Sequence, residues 1–117
     1  MEKVPFVNGD KYQTTIYIGL NDKVTGIQKY DTERYISILR TVCRNYQVPF
    51  SVHTITGGYF YEDGRFTEEN TLTVMFMNIP EEIIMEIAKD LCVFFQQESV
   101  MVTKSPCSVV FVSETIG

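Results

Sequence analysis

The sequence predicts a small α+β domain with a four-stranded antiparallel sheet and two helices packed on one of its faces. Three observations carry this prediction. Apolar and polar residues alternate in several short segments, as half-buried strands require. Two longer segments repeat apolar residues at spacings of three and four, as amphipathic helices do. These segments follow one another in the order β-α-β-β-α-β along 117 residues, which is a usual length for one domain.

The first strand begins at Tyr12, and its period-2 alternation continues to Leu20. Residues 1–11 contain a proline and an Asn-Gly-Asp turn signal, so we expect them to form a leader before the regular structure. The remaining residues, 12–117, contain no visible boundary or internal repeat. They are therefore expected to form a single domain.

The first helix follows a polar loop. Asp31 or Thr32 can cap it, and Glu33 in the first turn is favourable at the positive end of the helix dipole. The helix should end before Pro49, because the residue that precedes a proline is pushed out of the helical region.

An antiparallel hairpin comes next. Residues 50–56 predict its first strand, Gly57-Gly58 interrupts the alternation, as a bulge or the close approach of another backbone would, and residues 59–61 continue the strand. Residues 62–65 supply an Asp-Gly turn. The returning strand is expected at residues 72–77, where apolar residues alternate again.

The second helix begins at Pro80, which suits a first helical turn, and residues 96–98 end it. A short strand follows at residues 99–103, Pro106 breaks it, and residues 109–112 return to extended structure. With right-handed crossovers, this order of elements gives a ferredoxin-like fold with a broken or doubled last strand.

Composition excludes several classes of function. The chain has 15 acidic and 10 basic residues, for a formal charge of −5, so its average field repels nucleic acids and anionic membranes. No segment approaches the roughly 20 apolar residues of a membrane helix. Three scattered cysteines and one histidine favour neither a disulfide framework nor a metal site. We expect a cytoplasmic protein without a cofactor, a metal, a nucleic-acid partner or a membrane partner.

The sheet face that is out of phase with the core is semi-apolar. Its predicted members are Tyr17, Ile55, Tyr59, Met75, Met77 and Met101. Such a patch on a small protein is typical of an interface or a ligand platform. We expect a dimer or higher homo-oligomer, with the isoleucine and the three methionines in the interface and the two tyrosines contacting a ligand. RNA binding is not expected, because the third strand lacks the stacking aromatics of RNA-recognition domains.

Four further residues are candidates for ligand binding. Gln97, Glu98 and Ser99 lie where the second helix gives way to a strand, which suits either a ligand-facing cluster or a C-cap and turn network. The guanidinium of Arg65 can form a forked contact with an anionic ligand. The alternative is an exposed ion pair of Arg65 with Glu62 or Glu68 across the turn, which would contribute little.

Three segments carry a family resemblance: Tyr17-Ile18-Gly19-Leu20, then Gly58-Tyr59 with Asp63-Gly64-Arg65, and then Phe95-Gln96-Gln97-Glu98-Ser99-Val100. In order and spacing they resemble a bacterial family of unknown function with a ferredoxin-like domain. The resemblance covers residues 12–112. It implies the fold and implies no activity.

The leading functional hypothesis is a homo-oligomeric, non-enzymatic binding module for a small polar or nucleotide-like ligand. Its small size fits a phage or mobile-element protein that sequesters a metabolite. One alternative is a cofactor-free dimeric α+β-barrel enzyme of the monooxygenase or isomerase type, with Tyr17, His53 or Glu98 as proton-transfer groups. Another is an adaptor that binds proteins through an edge strand.

Overall fold

A computed structural model describes residues 11–114 of the chain. It confirms the predicted α+β fold and the order β-α-β-β-α-β. The elements are β1 (Tyr12–Gly19), α1 (Thr32–Asn45), β2 (Ser51–Phe60), β3 (Phe66–Met77), α2 (Glu81–Phe94) and β4 (Met101–Pro106). The sheet has the strand order β2-β3-β1-β4, and all neighbouring strands are antiparallel. Apart from Lys11, the expected leader lies outside the described residues.

The core lies between the sheet and the two helices. Alternate residues of β1 and β3 face the helices, and the largest fully buried side chains include Phe76 and Phe95. The ring of Phe95 meets that of Tyr35 edge to face, with 5.1 Å between centroids, which is a favourable aromatic geometry. The core therefore joins β3, α1 and the residue that follows α2.

Two cysteines of the helices differ in burial. Cys43 is fully buried, and this burial raises the pKa of its thiol to about 11, because a thiolate is poorly solvated there. Cys92 is only half-buried. It stands at the edge of the apolar stripe of α2.

Helix α1 begins and ends close to where its sequence predicts. Asp31 is the N-cap, and its side chain accepts a hydrogen bond from the backbone N–H of Arg34 at 3.1 Å. The helix ends at Asn45, and Gln47 takes a left-handed conformation with φ of 55°, before the chain reaches Pro49. No helix in residues 11–114 is long and apolar enough to cross a membrane.

The hairpin of β2 and β3 is longer than the rest of the sheet. Its register runs unbroken from Ser51 opposite Met75 to Phe60 opposite Phe66, so the bulge considered at the two glycines is wrong. Instead, Gly58 lies beneath an aromatic ring, because a Cβ there would be 2.7 Å from a ring carbon of Phe66. β1 pairs with β3 only over residues 71–77. Residues 57–69, here called the hairpin arm, therefore project beyond β1 as two strands and a turn.

The last strand is displaced from its predicted position. β4 runs from Met101 to Pro106 and pairs with β1, so Pro106 ends the strand and does not interrupt it. A proline is tolerated at the end of an edge strand because its missing N–H leaves no ladder bond unmade. In residues 107–114 the extended structure is reduced to a single bridge at Val109.

Candidate functional site

A cavity of about 380 Å³ lies at one end of the sheet, a size within the range of small-molecule sites. The loop after β1, the hairpin arm and the residues after α2 converge on it. Its lining residues are Asn21, Asp22, Lys23, Gly26, Tyr59, Tyr61, Glu69, Gln97 and Glu98.

Asp22 organises the loop after β1 from within. It is only 3% exposed, and its Oδ1 accepts hydrogen bonds from the N–H groups of Val24 at 2.9 Å and Thr25 at 2.7 Å. Its Oδ2 accepts the hydroxyl of Thr25 at 2.8 Å and lies 3.8 Å from the Nζ of Lys29. The pKa of Asp22 is lowered, chiefly by the backbone hydrogen bond from Thr25, since these donors favour the charged form.

The segment after α2 is bonded to this loop and to β1. Gln96 takes a left-handed conformation with φ of 54°, and the N–H of Gln97 donates to the carbonyl of Cys92 at 2.9 Å, which closes the helix end. The N–H of Lys23 donates to the carbonyl of Gln96 at 3.0 Å. The side chain of Gln97 reaches further, and its Nε2 donates to the carbonyls of Gly19 and Asn21, both at 2.7 Å.

Glu69 presents a carboxylate to the cavity from the hairpin arm. Its Oε2 accepts the N–H of Asn21 at 3.2 Å, and among residues 11–114 this is the one hydrogen bond that the carboxylate makes. The side chain lies against Gly19, where a Cβ would stand 2.6 Å from the same oxygen. A glycine is therefore needed at position 19 for the carboxylate to occupy this place.

Two tyrosines of the hairpin arm form the aromatic wall. The rings of Tyr59 and Tyr61 meet edge to face with 5.5 Å between centroids. The pKa of Tyr59 is raised, first by a hydrogen bond with the Tyr61 hydroxyl, then by desolvation and by the negative charge of Glu69. Tyr59 therefore stays protonated at neutral pH and offers a hydroxyl and a ring face to a ligand.

The cavity has an acidic character. Three carboxylates line it, and the one cation among its described lining residues is Lys23. Asp22 is already bonded within its loop, which leaves Glu69 and Glu98 to act on a ligand. Such a site favours a cationic ligand and disfavours a phosphate, since like charges repel. Within residues 11–114, no group of three or more His, Cys, Asp or Glu is placed to hold a metal ion.

The structure brings some of the sequence-predicted ligand residues together. Tyr59, Gln97 and Glu98 line the cavity, whereas Tyr17 and Ser99 do not. For all five residues, contact with a ligand remains a prediction.

Arg65 stands at the turn of the hairpin arm and does not line the cavity of its own chain. Its Nε lies 2.7 Å from an oxygen of Asp63, and its guanidinium lies 4.8 Å from the ring centre of Tyr61. The ion-pair partner is thus Asp63, where the sequence suggested Glu62 or Glu68.

Six lining residues were absent from the predicted set: Asn21, Asp22, Lys23, Gly26, Tyr61 and Glu69. A signal for Glu69 is present in the sequence. Counting back in steps of two from Met75 reaches Thr73, Thr71 and Glu69, which places a carboxylate on the semi-apolar face of the sheet. The signal was missed because β3 was expected to begin at residue 72.

The face of the sheet away from the helices, here called the open face, carries the apolar side chains predicted for it. Tyr17, Thr73 and His53 form one transverse row with Met101, because their strands pair them directly. Across the four-stranded part, this face has no Asp, Glu, Lys or Arg among the described residues. Its members there are residues 13, 15, 17, 51, 53, 55, 71, 73, 75, 77, 101, 103 and 105.

No family model and no curated protein matches this sequence, so the predicted family resemblance remains a prediction. Solved structures do match. A phage SAM lyase in complex with S-methyl-5′-thioadenosine has a TM-score of 0.65 at 19% identity, covering 100% of this chain and 98% of that chain. CutA from Pyrococcus horikoshii has a TM-score of 0.54 at 11% identity, covering 84% and 87%. At these identities, the matches show that the chain shares a small α+β fold with both proteins.

Proposed function

We propose that this chain is a homo-oligomeric protein that binds a positively charged, nucleoside-like ligand of the adenosyl sulfonium class. The observation that carries the proposal is the Glu69 carboxylate, one oxygen of which has no hydrogen bond to any residue of the described range 11–114, and which stands beside Tyr59 and Tyr61 in a cavity of ligand size. The site would hold the cation near the carboxylate and the base against a tyrosine ring.

Charge and aromatic surface support this choice of ligand. A sulfonium is attracted to the carboxylates of Glu69 and Glu98, and a cation also interacts favourably with the face of a tyrosine ring. A nucleotide phosphate would meet the same carboxylates with only Lys23 to offset them. The site therefore fits a nucleoside with a positive charge better than a nucleotide.

The likeness to the phage SAM lyase supports the same class. That protein was solved with S-methyl-5′-thioadenosine, and its fold extends over the whole of this chain. S-methyl-5′-thioadenosine is the neutral thioether that remains when S-adenosylmethionine loses its amino-acid portion. S-adenosylmethionine also has a carboxylate, which is the kind of group that the prediction for Arg65 requires. Arg65 does not line the cavity of its own chain, so a neighbouring copy would have to supply this contact.

Self-association is proposed from the open face and the hairpin arm. Among the residues that the structure describes, the open face has no Asp, Glu, Lys or Arg in its four-stranded part, although the chain carries 15 acidic and 10 basic residues. The described molecule measures 59 × 33 × 26 Å, and Phe60 and Phe66 on the hairpin arm are 71% and 55% exposed. An extended hairpin with exposed aromatic rings is suited to packing on another copy.

Isothermal titration of the purified chain tests the binding proposal. S-adenosylmethionine should bind more tightly than S-methyl-5′-thioadenosine, and adenosine monophosphate should bind weakest. Glu69→Gln should weaken S-adenosylmethionine binding by about tenfold to a hundredfold, because it removes a negative charge beside the cation, and a charge pair about 4 Å apart contributes between about 1 kcal/mol in water and about 4 kcal/mol near a protein surface.

Glu68→Gln is the matched control, since Glu68 is the neighbouring residue and its side chain points to the other side of the hairpin arm. This variant should bind as the wild type does. Absence of binding to either adenosyl compound, or equal losses in the two variants, would contradict the proposal.

A second candidate is an enzyme that cleaves the sulfonium, favoured by the likeness to a SAM lyase. One carbon–sulfur bond would break with its electron pair remaining on sulfur, and the ligand's own carboxylate would bond to the released carbon. No co-reactant is then needed. Chromatography after hours of incubation decides between the candidates, because a binding protein returns S-adenosylmethionine intact and a lyase yields S-methyl-5′-thioadenosine.

Light scattering tests self-association. The mass should be a multiple of 13.5 kDa at tens of micromolar, and Met75→Asp should reduce it, because a charge would enter a desolvated contact. Ser37→Asp adds the same charge at an exposed position of α1 and should leave the mass of the assembly unchanged. A monomeric wild type would exclude the assembly.

A further inference from the structure

We propose that Gln97 is a positioning residue that holds the Glu69 carboxylate in place through the backbone of residues 19–21, where β1 ends and the next loop begins. This inference rests on the proposed function, because it assigns Glu69 the role of contacting the cation. Gln97 itself acts on the backbone of residues 19–21, and its effect on the ligand passes through that backbone.

The side chain of Gln97 spans two distant parts of the fold. Its Nε2 donates both of its protons, one to the carbonyl of Gly19 and one to the carbonyl of Asn21, each at 2.7 Å. These bonds join positions 76 and 78 residues apart. Two donors from one amide fix the orientation of both carbonyls, because the planar NH₂ group allows little independent movement.

The two carbonyls lie on either side of the N–H group that Glu69 accepts. The N–H of Asn21 belongs to the peptide between Leu20 and Asn21, and it donates to Oε2 of Glu69 at 3.2 Å. The neighbouring N–H of Leu20 is held by the carbonyl of Asn70 at 2.9 Å. Holding both flanking carbonyls restricts the rotation of the peptide between Leu20 and Asn21, and it favours the direction in which the N–H of Asn21 meets the Glu69 carboxylate.

The helix end does not require this side chain. Closure of α2 uses the backbone N–H of Gln97, which donates to Cys92, and any residue except proline supplies that group. The sequence left two roles open for Gln97, a helix cap and a part of a ligand site, and one residue can serve both. The backbone of Gln97 completes the helix cap, and its side chain serves the cavity.

Gln97→Met tests the inference, because methionine keeps the length of the side chain and removes both donors. The matched control is Gln96→Met, one residue earlier, where the side chain faces away from this cavity and accepts a bond from Lys29. The quantity measured is the affinity ratio of S-adenosylmethionine to S-methyl-5′-thioadenosine. We expect Gln97→Met to lower this ratio about tenfold, with binding of the neutral thioether nearly unchanged, and Gln96→Met to preserve it.

A general loss of structure would weaken both ligands equally, so an unchanged ratio in Gln97→Met overturns the inference while leaving the proposed function intact. A second measurement needs no ligand. The amide proton resonance of Asn21 should shift when Glu69 is protonated, and Glu69→Gln should abolish that shift.

In Gln97→Met the shift should fall by half or more, and in Gln96→Met it should persist. A full shift in Gln97→Met contradicts the positioning role even if the wild type binds neither adenosyl compound. That last result would refute the proposed function alone, so the two failures are distinguishable.

Discussion

Asp22 and Glu69 line the same cavity, but their hydrogen bonds indicate different roles. Asp22 accepts three hydrogen bonds from residues two and three positions further along its own loop. Glu69 accepts one, from the N–H of Asn21 across the sheet edge. The first carboxylate is satisfied by the protein, and the second retains an oxygen that can accept a bond from a ligand.

This contrast shows why the type and position of a residue do not by themselves identify a binding group. A carboxylate whose two oxygens both accept hydrogen bonds from its own loop stabilises that loop and is costly to disturb, because its donors would be left unpaired. A carboxylate that is held at one oxygen has a fixed place and a free acceptor. That combination is suited to binding.

Replacing Asp22 should have the largest effect on the stability of the chain and on ligand binding. Asp22→Ala leaves the N–H groups of Val24 and Thr25 without their acceptor, so we expect Tm to fall by about 5 °C or more and ligand binding to be lost with the loop. Asp63→Ala is the matched control, because Asp63 also accepts a backbone N–H, from Arg65, in an exposed turn. Calorimetric unfolding should show only a small decrease in Tm for Asp63→Ala. Equal changes in the two variants would remove the distinction drawn for Asp22.

Displacing Glu69 without removing it should have an intermediate effect. In Gly19→Ala the new Cβ would stand 2.6 Å from Oε2 of Glu69, so the flexible carboxylate must move while the strand remains. We expect affinity for S-adenosylmethionine to fall about tenfold and Tm to change little. Gly57→Ala places the same methyl group opposite Glu69 in the hairpin, where nothing lies within 4 Å of it, and it should bind normally. Unchanged affinity in Gly19→Ala would show that the place of the carboxylate is unimportant.

Acid should produce the smallest and most specific effect. The pKa of Asp22 in the folded chain lies below its ordinary value of 3.8, so its contribution to stability is present above that value and disappears as pH falls through the lower folded-state value. As pH falls from about 5 to below 3.8, the ordinary pKa of Asp22, the Tm of the wild type should therefore fall more steeply than that of Asp22→Asn, which does not titrate. Parallel curves would show that the charge of Asp22 contributes nothing.

The sequence was sufficient to predict the fold because its signals are local. Alternation in β1, the cap at Asp31 and the turn at Asp63-Gly64 each depend on a few neighbouring residues, and the structure contains all three. Burial of one face of the sheet then determines where the helices pack. Predictions of this kind fail mainly where a segment has no core to face.

The hairpin arm is such a segment. Residues 67–69 form part of β3, yet they are polar and show no apolar alternation, because β1 pairs with β3 only over residues 71–77 and no core lies beneath the arm. The sequence therefore predicted too short a β3, and Glu69 was missing from the predicted site residues. Gln97 shows a second limit, since its hydrogen bonds join residues nearly 80 positions apart and no local pattern reveals them.

The hairpin arm has a thermodynamic consequence. Tyr59, Tyr61 and Glu69 all belong to it, so the same two-stranded segment supplies one wall of the cavity and the exposed rings of Phe60 and Phe66. A second copy that packs on those rings changes the energy of the arm, and with it the energy of the ligand wall. Coupling of this kind is reciprocal: whatever factor assembly adds to ligand affinity, the ligand adds to assembly, and apparent affinity then depends on protein concentration.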